Sequence, residues 1–240
     1  MCGILGYGGD ELRTSHLETA FEKVSPRGPD FSVLTRIDET AILGFHRLAI
    51  MDPSEAGNQP FRAARKAAVC NGEIYNYKQL ATEYELTLKT GSDCEVLLPL
   101  YLTIGLRGMC KRLDGVFAFS IVDGDELHFG RDPIGIRPLF IAERRNARGE
   151  KEVMVCSEVK GIPPHFEDVR PFPPGHYGTF NRKTGSLTIE AFYAYEYPEL
   201  TDISEAEAIE GIRERLFAAV DKRMMSDRPI VCLVSGGVDS

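Results

Sequence analysis

The chain has 240 residues, 43% of them hydrophobic and 27% charged, which is enough to bury a core, and no apolar run approaches the roughly 20 residues that span a bilayer. A formal net charge of −8 argues against a nucleic-acid surface, which needs an excess of clustered Lys and Arg, and leaves small molecules as the expected ligands, with no membrane role. The six cysteines form no C-x-x-C pair and no zinc-ligand spacing, and the N-terminus MCGILGYGG lacks the basic and long apolar regions of a signal peptide. Free thiols in a reducing, cytoplasmic compartment are the expectation, rather than disulfides or a metal site.

In chain order, Cys2 to Tyr7 reads as a buried strand closed by Gly8-Gly9. A capping box, Ser15-His-Leu-Glu18, predicts a helix with Leu17, Ala20, Phe21 and Val24 inward, ended by Pro26. After the turn Arg27-Gly-Pro-Asp30, strands are predicted at Ala41 to Ile50 and Ala67 to Cys70. A helical stretch follows in which Tyr77, Leu80, Ala81 and Tyr84 share a face. A second capping box, Ser92-Asp-Cys-Glu95, predicts a helix carrying Val96, Leu97, Leu100, Tyr101 and Ile104 inward. The pattern then turns to β: Val116 to Val122 and Glu126 to Gly130 around a hairpin turn, then Pro138 to Ala142, Glu152 to Cys156 and His176 to Phe180.

Strands at both ends with helices between them suit an α+β domain of layered sheets over residues 2–190. A linker is predicted over 191–203, where Tyr193, Tyr195, Tyr197 and Pro198 lead into a polar stretch. A third capping box, Ser204-Glu-Ala-Glu207, opens an amphipathic helix with Ile209, Ile212, Leu216 and Val220 on one side. The apolar run Pro229 to Val234 then reads as a strand buried on both faces, as in a parallel sheet. Residues 204–240 are therefore expected to begin a second, α/β unit.

Removal of Met1 would make Cys2 the N-terminal residue, combining a thiol and a free α-amine in one unit. Their ordinary pKa values, about 8.5 and about 7.7 to 8.0, make proton exchange between them nearly balanced. On its own, Cys2 also reads as a small hydrophobe at a strand start. The dipeptide Asn71-Gly72 alone reads as a hairpin turn, Arg47 as a solvated strand charge, and Asp93 as an acid in a first helical turn.

Five segments stand in order: Cys-Gly-Ile at 2–4, Arg-Gly-Pro-Asp at 27–30, His-Arg-Leu-Ala-Ile at 46–50, Asn-Gly-Glu-Ile-Tyr-Asn at 71–76 and Gly-Ser-Asp-Cys-Glu at 91–95. Together they resemble the class II, or N-terminal nucleophile, glutamine amidotransferases over residues 2 to about 190. The resemblance implies an αββα sandwich and glutamine as substrate. It makes Cys2 the nucleophile, and Asn71 and the Gly72 N–H the donors to the oxyanion. It further implies a glutamine site from Arg47, Leu48, Ala49, Ile50, Met51, Glu73 and Asp93, with Arg47 on the carboxylate and the two acids around the ammonium. Arg27 takes a supporting role near the nucleophile. Leu113 to Phe119, Gly130 to Gly135 and Ser157 to Lys160 match the family as structural segments.

Ser235-Gly-Gly-Val-Asp-Ser240 resembles the pyrophosphate loop of enzymes that activate a carboxylate with ATP and release AMP. Leu233, Ser235, Gly236, Gly237, Asp239 and Ser240 are the implied ATP and pyrophosphate contacts. It lacks the Gly-Lys-Ser/Thr ending of a Walker loop. A glutaminase domain followed by this loop resembles the asparagine synthetase branch. That branch implies aspartate and ATP as further substrates and Mg2+ as cofactor of the complete enzyme, with none required for glutamine hydrolysis; a homodimer is compatible with it. Two other readings stay open, another class II amidotransferase and a non-catalytic glutamine-binding regulatory domain.

Overall fold

The computed structural model describes residues 1–197 and 202–237. Among these, four α-helices and twelve strands occur in the order β1 (Gly3–Gly8), α1 (Thr14–Glu22), β2 (Phe31–Asp38), β3 (Ala41–Arg47), β4 (Phe61–Ala63), β5 (Lys66–Ile74), α2 (Tyr77–Glu83), α3 (Leu97–Arg112), β6 (Gly115–Asp123), β7 (Glu126–Arg131), β8 (Phe140–Arg145), β9 (Lys151–Cys156), β10 (Asp168–Pro171), β11 (His176–Asn181), β12 (Ser186–Ala191) and α4 (Glu205–Asp221). The strands form two six-stranded sheets, ordered β10-β8-β9-β1-β3-β2 and β12-β11-β7-β6-β5-β4, with antiparallel neighbours throughout.

The sheets face each other across a core in which Ile4 and Phe45 of the first meet Val69, Phe129 and Phe180 of the second. On the outer face of the first sheet, Leu5, Tyr7 and Ile42 pack on Leu17 and Phe21 of α1. On the outer face of the second, Cys70, Phe119 and Ile121 pack on Leu80 of α2 and on Leu97 and Leu100 of α3. This is the expected αββα layering. Each of these apolar side chains contributes roughly 1.5–3 kcal/mol by leaving water. The central strand β1 is buried on both faces, so the residue just before it is fixed by a rigid sheet end.

Several local expectations are corrected. Helix α1 begins at Thr14 with Arg13 as its cap, not at Ser15, because His16 Nδ1 accepts the Arg13 N–H at 3.1 Å. Ser92 precedes one 3-10 turn over Asp93–Val96, and Glu95 does not reach back to it; its carboxylate takes the N–H groups of Lys89 (2.9 Å) and Thr90 (2.7 Å). The Ser204–Glu207 capping box forms as expected, but Ile209, Ile212, Leu216 and Val220 are each more than half exposed. Residues 229–234 form no strand: they are irregular and exposed, with no strand of either sheet paired to them. A two-face-buried strand needs neighbours on both edges, which the described residues do not supply. Pro198, Asp239 and Ser240 lie outside the described residues. No helix among those described is long and apolar enough to cross a membrane.

Candidate active site

Cys2 enters the molecule at the end of β1, where Gly3 pairs with His46 and the chain beyond β3 turns over it. The Leu48 N–H donates to Cys2 Sγ at 3.4 Å, and the Leu48 carbonyl lies 3.7 Å from the same sulfur. Burial pushes the thiol above its ordinary pKa, a shift the Leu48 N–H and the N-terminal ammonium oppose only in part. The Met1 ammonium is itself pushed down, first by burial. From below, Arg27 Nε donates to the Cys2 carbonyl at 2.8 Å while its Nη1 holds Glu158 at 3.0 Å. Two residues on from Cys2, the Ile4 N–H donates to Ser157 Oγ at 2.9 Å and the Ile4 carbonyl accepts the Ser157 N–H at 3.0 Å. The segment Ser157 to Lys160 thus positions Cys2 without touching the pocket.

Asn71 and Gly72 do not form a hairpin turn. Strand β5 runs on through them to Ile74, pairing Asn71 with Ala118 and Gly72 with Phe117 of β6. Glycine is required because a β-carbon at position 72 would strike the Val116 carbonyl oxygen and sit 2.7 Å from Phe117 Cα. Asn71 is 1% exposed, yet neither its Nδ2 nor its Oδ1 has a partner within the protein. An orphaned buried amide costs on the order of 1–3 kcal/mol per unsatisfied group, so the fold holds an unpaired donor and acceptor in the pocket that contains Cys2.

The pocket is lined by Cys2, Arg47, Leu48, Ile50, Met51, Asn71, Gly72, Glu73 and Asp93, all singled out from the sequence. Arg47 is buried, and its Nη1 donates to the Ser54 carbonyl and Asn58 Oδ1, both at 2.7 Å. Its Nη2 donates to the carbonyls of Met51 (3.2 Å) and Asp52. The guanidinium therefore shapes the loop 48–58 from inside. Asp93 is 3% exposed; its Oδ2 accepts the Ile74 N–H at 2.7 Å, and burial raises its pKa to about 6. Ala49 is placed otherwise: buried outside the pocket lining, its N–H donates to Asp30 Oδ2 at 2.8 Å. Arg27 lies beneath the pocket, not in it.

The structure adds lining residues that the sequence reading did not assign to the site: Ser92 and Cys94, which flank Asp93 in the 91–95 segment, and also Gln59, Cys70 and above all Arg137. Arg137 Nη2 pairs with Glu73 Oε1 at 3.1 Å. The turn that presents it is built by Asp132, whose carboxylate collects the N–H groups of Gly135 (2.7 Å), Ile136 (2.9 Å) and Arg137 (2.9 Å). The signal in the sequence was the Asp132-Pro-Ile-Gly turn two residues upstream, which read as structure alone.

Leu233, Ser235, Gly236 and Gly237 lie outside this pocket, in exposed irregular backbone. Gly236 has φ +81°, and the Gly237 N–H donates to Ser235 Oγ at 3.3 Å. Among the described residues no helix N-terminus stands behind them.

A glutamine amidotransferase domain profile matches residues 1–168, and an asparagine synthase profile matches residues 211–240. The chain is 36% identical over 267 residues to a probable glutamine-hydrolysing asparagine synthetase of Acanthamoeba polyphaga mimivirus, and 35% identical over 269 residues to the glutamine-hydrolysing asparagine synthetase of Homo sapiens. All of this chain is covered in both matches, but it spans only about half of those proteins, 48% and 47%. Among solved structures, the glutamine phosphoribosylpyrophosphate amidotransferase of B. subtilis superposes with a TM-score of 0.67 at 22% identity, covering 81% of this chain and 50% of that one. A class-II glutamine aminotransferase domain protein of Silicibacter pomeroyi superposes with a TM-score of 0.52 at 17% identity, covering 81% and 100%. These superpositions bear on the fold, while the profile match spans β1 through the start of β10 and every pocket residue named above. The chain belongs to the glutamine amidotransferase family.

Proposed function

We propose that the chain hydrolyses glutamine to glutamate and ammonia through a thioester on Cys2, and that the ammonia serves an ATP-dependent conversion of aspartate to asparagine. The observation that carries the first half is the orphaned Asn71 carboxamide in the pocket that holds the Cys2 sulfur. Met1 is removed in the active form, exposing the Cys2 α-amine. As Sγ attacks the glutamine side-chain carbonyl, the thiol proton passes to that amine and then to the departing ammonia. The developing oxyanion takes the Asn71 Nδ2–H and the Gly72 N–H. Water then cleaves the thioester, releasing glutamate and restoring the thiol.

Arg47 receives the glutamine carboxylate by exchanging one of its carbonyl acceptors for an anionic one, which makes a stronger, charge-assisted bond. Glu73 and Asp93 face the ammonium. The aspartate and ATP chemistry, with its Mg2+, rests on the asparagine synthase match over residues 211–240 and on the relatives' names. We divide the chain accordingly into a glutaminase domain over 2–190, a linker over 191–203 and the opening of a synthetase domain over 204–240. A free catalytic thiol fits a reducing compartment such as the cytoplasm.

Intact mass and activity together test the reading. The active species is expected to begin at Cys2, and Cys2→Ala to bind glutamine without releasing glutamate. Full activity in a species that keeps Met1 would refute the α-amine mechanism.

A further inference from the structure

Residues 222–228, which follow α4, lie against the pocket loop at residues 49–52 and against Tyr75 and Asp114. The Asp227 N–H donates to the Ile50 carbonyl at 3.2 Å, and Asp227 Oδ2 accepts the Asp52 N–H at 2.7 Å. Arg228 Nε donates to the Ala49 carbonyl at 3.0 Å. On the other side, Lys222 Nζ binds Asp114 Oδ2 at 2.8 Å. The Lys222 and Arg223 charges sit 5.7 and 5.1 Å from the ring centre of Tyr75, two residues beyond Glu73.

The backbone that receives these bonds is irregular and is held on its inner side: the Ala49 N–H donates to Asp30 Oδ2, and the Asp52 carboxylate accepts the Gly91 N–H at 2.9 Å. Residues 48–52 form neither helix nor strand; the Ile50 N–H turns back to the Leu48 carbonyl at 3.1 Å, and Asp52 has φ +47°, a conformation unfavourable outside glycine. Arg47 secures the inner side through the Met51 and Asp52 carbonyls. The groups left pointing outward, the Ala49 and Ile50 carbonyls and the Asp52 N–H, are those that residues 227 and 228 take up.

We infer that Asp227 and Arg228 are positioning residues for the glutamine pocket, a clamp that fixes the 49–52 backbone so that Leu48, Ile50 and Met51 face Cys2 and the substrate. Its kinetic consequence rests on the glutaminase reading, whereas its geometry does not. Neither side chain touches substrate. The clamp also ties the pocket wall to a segment some 175 residues along the chain from Asp52, so displacement of that segment would be felt at the glutamine site.

The test compares wild type with Asp227→Ala, Asp227→Asn and Arg228→Met. Because both clamp residues are exposed and water can compete, Asp227→Ala and Arg228→Met are each expected to raise the glutamine KM by about threefold to tenfold with kcat within about twofold. Asp227→Asn keeps an oxygen acceptor and is expected to stay within about twofold of wild type in both. Hydrogen exchange on the ligand-free protein gives a readout that needs no activity: the Asp52 amide should exchange about tenfold faster in Asp227→Ala, with β5 and β6 unchanged. An unchanged KM and unchanged Asp52 exchange would overturn the clamp. Faster exchange throughout the sheets with KM unchanged would also overturn it, by showing a merely structural contact. Should wild type release no glutamate, the proposed function fails, and Asp52 exchange alone still decides whether the clamp exists.

Discussion

The Leu48 N–H points at the Cys2 sulfur from 3.4 Å, so the residue just past β3 favours the Cys2 thiolate. Burial outweighs it and keeps the thiol protonated at rest, its pKa above the ordinary value. Alkylation of Cys2 in protein that keeps Met1 is therefore expected to rise with pH and reach its midpoint above about 8.5. Peptide mapping after timed alkylation measures this. A midpoint well below that value would mean a resident thiolate with no need of a base.

Asn71 sets activity against stability. Asn71→Ala is expected to lower kcat by about 10²- to 10³-fold through loss of an oxyanion donor. The same change deletes two buried polar atoms that have no partner within the protein, so the variant is expected to melt no lower than wild type. Steady-state kinetics and thermal unfolding on one preparation check both. A large fall in Tm would show that the carboxamide holds the fold rather than waiting for a ligand.

Asp93 is expected to make glutamine binding depend on pH. Burial, opposed by the Ile74 N–H, raises its carboxyl from 3.8 to about 6. A raised folded-state pKa contributes stability that is full below 3.8 and is lost as pH rises through about 6. Above that range Asp93→Asn is expected to be more stable than ligand-free wild type, and below 3.8 it should lose this advantage. Binding runs the opposite way, because the glutamine ammonium favours the ionised carboxylate. The KM of wild type should fall as pH rises through about 6, while that of Asp93→Asn should be high and flat there. A wild-type KM without this step would remove Asp93 from the ammonium site.

The parts of the fold that could be read from sequence were those in which burial dominates composition. Eight of the nine predicted strands are the interior strands of the two sheets. The four that escaped, β2, β4, β10 and β12, are the four sheet edges. Edge strands face water on one side and carry residues such as Asp38, Arg62, Asp168 and Glu190, so the alternation that marks a strand is blurred. The run at 229–234 failed for the converse reason: its apolar composition describes an environment that the described residues do not provide.

At the pocket, motifs pointed to Cys2, Asn71, Gly72 and Asp93, which the structure brings together in one lining. What no motif conveyed was the state of each group. That Arg47 is already engaged by Met51, Asp52, Ser54 and Asn58, or that Arg137 meets Glu73, depends on loops that converge only in three dimensions.

The last expectation separates two half-reactions. Every residue assigned to glutamine chemistry lies between Cys2 and Asp93, and Arg137, which pairs with Glu73, lies within the family match at 1–168. A polypeptide of these 240 residues is therefore expected to release glutamate from glutamine. The same polypeptide presents Ser235 to Gly237 as exposed irregular backbone with no helix N-terminus behind them among the described residues, and the relatives it resembles are about twice as long. Phosphate recognition through backbone N–H groups requires those groups to be fixed and convergent before the anion arrives. Supplied with aspartate, ATP, Mg2+ and ammonium, the polypeptide should form neither AMP nor asparagine. Two assays on one preparation decide it, glutamate release and AMP formation. Glutamate without AMP is the expected result, whereas AMP formed by these residues alone would show that the loop needs no further scaffold and that the division of labour drawn here is wrong.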